Sequence, residues 1–82
     1  MALNRQKVTQ ELREAAAEFI GIEPAELDLN KKLRLEYGVS SIDAAEIIML
    51  IEDKYSIKIP LEDAVKILST SDAIEYALKH GK

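Results

Sequence analysis

Apolar residues return at helical spacing soon after the start of the chain, where Val8, Leu12, Ala15, Ala16 and Phe19 share one face of a 3.6-residue turn. Asn4 is a good cap for this run and Gly21 a good stop, so the spacing predicts a first helix between them. From 21 to 40 no period is sustained. Pro24 to Leu27 suits a turn, and Leu27, Leu29, Leu33 and Leu35 are expected to be buried, which makes the stretch a long packed loop. A second helix is predicted over 41–55, with Ala44, Ile47, Ile48, Ile51 and Tyr55 on its core stripe. Ile42, Glu46, Met49, Leu50 and Asp53, with Asp43 beside them, fall on the opposite side. Ile57, Ile59 and Pro60 lead into a short third helix from Leu61 to about Leu68. Ser69 and Asp72 cap a fourth, which carries Ala73, Ile74, Ala77 and Leu78 and ends at Lys79, His80 and Gly81.

The pattern predicts an all-α fold, and composition agrees. Of the 82 residues, 48% are hydrophobic and only three are glycine and two proline, which favours helices over a sheet sandwich. That length makes one small domain, expected to span 1–82, with no room for a second. Eleven basic against fifteen acidic residues give a net charge of −4. Such a balance opposes binding to nucleic acid or to anionic membranes. No apolar run approaches the roughly 20 residues of a membrane span, and the opening residues lack a signal core, so the expected compartment is the cytoplasm. Without cysteine the chain has no thiolate nucleophile and no thiol metal site. The acids of the predicted second helix repel one another.

The most informative chemistry lies at the start of that helix. Ser40 and Asp43 form the Ser-x-x-acid pattern of a capped N-terminus, with Ser40 as cap and Ser41 as first helical residue. Ser41 then keeps a free hydroxyl where unpaired backbone N–H groups and the helix dipole favour a phosphate. A serine near a helix start is, taken alone, an ordinary cap. His80, the single histidine, is expected to act as a cation at a helix C-terminus. A nucleophile pair of Ser41 with His80 lacks a Gly-x-Ser-x-Gly turn, and neither a phosphate-cradling glycine loop nor a metal-ligand cluster is present. Tyr37, Tyr55 and Tyr76 are too scattered for a nucleic-acid stacking platform and are expected to pack against the core.

Gly38, Val39, Ser40, Ser41 and Ile42, with the acidic helix after them, resemble the Gly-x-Asp-Ser-Leu motif of acyl carrier proteins. The resemblance runs in register to Tyr76, through Glu46, Met49, Ile51, Glu52, Asp53, Ile59, Pro60, Ala64, Lys66, Ile67, Ala73 and Ile74. It implies a small four-helix bundle of acyl-carrier type, with a long loop between helices one and two and a short third helix. It also implies a protein that catalyses nothing. Ser41 would bear a covalent 4'-phosphopantetheine donated by coenzyme A through a phosphopantetheinyl transferase, and the arm would hold acyl groups as thioesters. Ser40, Ile42, Asp43, Glu46, Met49, Glu52 and Asp53 would meet partner enzymes bearing basic docking patches. Leu33, Ile51, Ile67 and Ala73 match positions that line the family's acyl cavity, although core packing explains them equally well.

Departures from the family pattern set further expectations. Ser40 replaces the usual aspartate, Lys54 a common acid, Leu61 an acid after the proline, and Thr70 an apolar residue. They point to a specialised lipid or secondary-metabolite pathway. Two alternatives stay open: a carrier of aminoacyl or peptidyl groups, and an unmodified acidic adaptor of the same fold. A monomer is expected.

Overall fold

The computed structural model describes residues 3–81; the expected 1–82 domain therefore reaches, at both ends, positions that lie outside the described residues. Four helices follow in order: α1 (Arg5–Ile20), α2 (Ser41–Tyr55), α3 (Leu61–Ala64) and α4 (Thr70–His80), with one 3₁₀ turn, Pro24–Glu26, between the first two. The architecture is the expected all-helical one with a long loop before α2.

Capping explains where the helices begin and end. Asn4 accepts the Lys7 N–H, and Gly21 closes α1 in the left-handed region at φ 86°, donating to Ala17; glycine adopts that conformation without a Cβ penalty. Ser69 caps α4 with a full box, its hydroxyl accepting the Asp72 N–H while the Asp72 carboxylate accepts the Ser69 N–H. At α2 only half of the expected box forms. Ser40 Oγ accepts the Asp43 N–H at 3.1 Å, but the Asp43 carboxylate does not reach back.

An apolar cluster joins Val8 and Leu12 of α1, Leu33 and Val39 of the loop, Ile47, Ile51 and Tyr55 of α2, Ile59, and Ala73, Ile74 and Ala77 of α4. α1 packs chiefly against α4. Arg5 and Glu75 add an exposed ion pair across the same seam. The Tyr55 phenol donates to Glu11 at 2.9 Å, and burial first, then this bond, pushes its pKa up.

Side-chain anchors hold the loop in place. Arg13 of α1 donates to the carbonyls of Pro24 and Leu27, at 3.1 and 2.9 Å, and the Tyr37 hydroxyl accepts the Asp28 N–H. Leu27 and Leu33 are buried and Leu29 half-buried, as expected.

Three expectations are corrected. Leu35 is 81% exposed, because a turn over 33–36 places it outward while Leu33 takes the inward position. The third helix stops at Ala64, short of Leu68. Lys66 and Ile67 already bond three residues back, and the Leu68 N–H is taken by the Asp72 carboxylate. The Leu68 carbonyl meanwhile accepts the Leu33 N–H at 2.9 Å, which ties the loop to the end of this segment, and the Asp72 bond to the Leu68 N–H stands in place of a further helical turn. Leu50, expected on the outer side of α2, is half-buried and packs on the cluster.

Candidate functional site

The α2 N-terminus opens onto a cleft. Gly38, at φ 69°, turns the loop so that Val39 is buried and Ser40 starts the helix. Ser40 caps it, with its hydroxyl on the Asp43 N–H and its carbonyl on the Ala44 N–H. Ser41 follows as the first helical residue and is exposed. The first N–H groups of a helix have no partner within it, and together with the dipole they favour an anion beside this hydroxyl.

Ser41 lines a cleft of about 640 Å³ between α2, α3, the loop and α4. Its walls are mainly apolar: Leu33 from the loop, Ala44, Ile47 and Ile48 from α2, and Ile67 and Ala73 from the far side. Lys32 and Arg34 are its charged lining residues. Hydrogen bonds fix the walls. The Glu52 carboxylate accepts the Ile59 N–H at 2.7 Å, tying the approach to α3 to α2. The Tyr76 hydroxyl donates to Asp63 at 2.8 Å, tying α3 to α4; this bond, ahead of burial, raises the tyrosine pKa. An isolated antiparallel bridge between Lys32 and Ser69 joins the loop to the start of α4.

Of the cavity residues suggested by sequence, Leu33, Ile67 and Ala73 line this cleft. Ile51 does not. It is 0% exposed and belongs to the core cluster with Val8 and Leu12 of α1 and Ile74 and Ala77 of α4. Among the surface residues, Ile42 and Met49 are 71% and 59% exposed. Glu46 and Asp53 are exposed, whereas Asp43 and Glu52 are half-buried. Glu52 has a structural duty at Ile59 that periodicity does not reveal.

Sequence reasoning missed three features of the site. Exposed Leu35, Val65 and Leu68 join Leu61, Ile42 and Met49 as unburied apolar side chains. The basic lining of the cleft was legible as the run Lys31, Lys32 and Arg34 within a chain of net negative charge. Thr70 is 2% exposed and its hydroxyl has no hydrogen-bond partner among the described residues; the sequence marked it only as a polar residue in an apolar position.

These residues fit a phosphate-linked arm. An exposed hydroxyl stands at a helix N-terminus, free of the capping duty, and an apolar cleft beside it can shelter what the arm carries. The family described as "Phosphopantetheine attachment site" matches residues 10–77. An acyl carrier protein of Campylobacter concisus (strain 13826) is 31% identical over 75 residues, covering 92% of this chain and 97% of that protein. The solved structure of a thermally stable acyl carrier protein from Enterococcus faecalis superposes with a TM-score of 0.83 at 23% identity, covering 96% of this chain and all of the other. The chain belongs to the phosphopantetheine-attachment family of acyl carrier proteins. It is therefore a carrier rather than a catalyst. Phosphopantetheine supplies, when bound, the thiol that a cysteine-free chain lacks.

Proposed function

We propose that Ser41 is the attachment residue and that the chain ferries acyl groups in a specialised pathway. The observation that carries this reading is the division of labour between adjacent serines: Ser40 caps α2 while Ser41 stays exposed at the mouth of the cleft. In loading, the Ser41 oxygen bonds to the phosphorus that bears the pantetheine of coenzyme A. The pyrophosphate bond breaks, 3',5'-ADP leaves, and the serine proton passes to the transferase. Apolar cargo on the arm then shelters against Leu33, Ile67 and Ala73.

Partner enzymes read the outer face of α2. Ile42 and Met49 supply apolar contact, and Asp43, Glu46 and Asp53 steer a basic patch toward it. Exposed charge pairs add little affinity each, so docking is weak and reversible, as a shuttle needs. Glu52 takes part through the position of the Ile59 segment. Ser40 offers no carboxylate where the family has aspartate, Lys54 is basic, and Leu61 is 79% exposed where an acid is common; these changes suit dedicated partners over those of bulk fatty-acid synthesis. The carrier works as a monomer in the cytoplasm.

The test is the intact mass after incubation with coenzyme A and a broad-specificity phosphopantetheinyl transferase, followed by peptide mapping. One arm on Ser41 is expected, with complete loss of loading in Ser41→Ala and an unchanged melting temperature. Loading of that variant at Ser40 overturns the assignment.

A further inference from the structure

Lys32 and Arg34 share the cleft lining with Ser41, and every other residue of that lining is uncharged. The chain as a whole carries −4, so two bases at this apolar cleft are a local reversal of sign. Among the described residues neither forms an ion pair. The nearest acid in sequence, Glu36, directs its carboxylate to the Lys32 backbone N–H at 2.9 Å. Backbone geometry holds the two positions: the Lys32–Ser69 bridge, the Leu33 N–H on the Leu68 carbonyl and the Glu36 N–H on the Lys32 carbonyl fix the segment on both sides of buried Leu33. Their placement beside Leu33 therefore does not depend on a mobile loop tip.

Apolar walls with low dielectric strengthen a charge contact made at their edge. From this arrangement we propose that Lys32 and Arg34 form an anion subsite of the cleft, which binds a negatively charged group of the tethered arm or its cargo. The two sources share one chemistry: a phosphate at Ser41, or a carboxylate at the far end of an acyl chain. Arg34 offers a planar fork to either oxyanion and Lys32 a point charge. The inference rests on the attachment reading of Ser41, and it adds a preference that apolar lining alone does not give.

The experiment compares the wild type, the double variant Lys32→Gln/Arg34→Gln, and the control Lys7→Gln on α1, all in full-length form. Each is prepared without the arm, with the arm, with a methyl-terminated acyl chain, and with a chain of equal length ending in carboxylate. Melting temperatures are recorded at low and high salt. If the subsite holds the phosphate, the arm alone raises the melting temperature by a few degrees in the wild type and in Lys7→Gln, the rise shrinks in high salt, and the double variant loses it. If it holds cargo, only the carboxylate-ended chain gives that pattern. Equal shifts in the double variant and the wild type for every form overturn the proposal. Intact mass separates the two readings: should no arm attach at Ser41, the attachment reading fails, and titration with untethered 4'-phosphopantetheine still tests the subsite. Chemical-shift changes around Lys32 and Arg34 then support it, and their absence overturns it.

Discussion

On α1 and α4, which pack against each other, the apolar residues Leu12, Ala16, Ala17, Ile74 and Ala77 are all buried. Across the molecule, Ile42 and Met49 of α2, Leu61 of α3 and Val65 just after it stand 59% to 79% exposed. The same residue chemistry thus does two jobs. On the first side small side chains let two long helices meet, and contact with the neighbouring helix removes apolar area from water. On the second side α3 has only four residues, too few to cover its neighbour, and a cleft remains between it and α2. Exposed apolar groups beside an apolar cleft are the surface on which the proposed docking and cargo shelter rest. The packed side supplies the stability that the open side gives up.

The sharpest way to break this comparison is to truncate one residue of α2 from each side of it. Ile51→Ala, at a position with no exposed surface, should lower unfolding free energy by about 2–5 kcal/mol, whereas Met49→Ala should change it by about 0.5 kcal/mol or less. Denaturant titration reads both, and equal losses would show that the outer face of α2 is core. A smaller effect of opposite sign is expected at Thr70, whose buried hydroxyl lacks a partner among the described residues. Thr70→Val keeps the shape and removes the unsatisfied group, so stability should rise by about 1 kcal/mol. A loss on the same titration would mean that the hydroxyl is paired in solution.

The smallest effect belongs to the ion pair on the packed side. Arg5, through its hydrogen bond and charge, holds the Glu75 carboxyl below its ordinary value of 4.5. A depressed acid contributes stability that is present above its unfolded pKa and is lost as pH falls through the folded one. Melting curves should therefore show a slight advantage of the wild type over Glu75→Gln near neutral pH, fading below about pH 4.5. An advantage that persists in stronger acid would assign the effect to packing. Because both side chains are more than half exposed, salt should also weaken it.

Which parts of this division were legible in the chain follows from how local each signal is. The three long helices, the caps at Asn4, Ser40 and Ser69, and the stop at Gly21 depend on residues within a turn of one another. Periodicity and capping chemistry therefore located them, and the Gly-Val-Ser-Ser-Ile run pointed to Ser41. Leu35 and Leu68 misled because spacing carries no signal for a tight turn or for a competing side-chain acceptor. The turn over 33–36 sends Leu35 outward, and the Asp72 carboxylate takes the Leu68 N–H that a longer third helix would use. Ile51 and Ile67 look alike in sequence, yet one is fully buried in the core cluster and the other lines the cleft.

The sequence by itself determined the helices, their ends and the serine that stands free at the second, since these rest on backbone hydrogen bonding and side-chain spacing over a few residues. Only the tertiary structure decided that Lys32, Arg34 and Ser41 share one cleft, that Glu52 holds the Ile59 segment in place, and that Thr70 is buried without a partner among the described residues. Those outcomes depend on which distant segments meet, and packing in three dimensions settles that where local chemistry cannot.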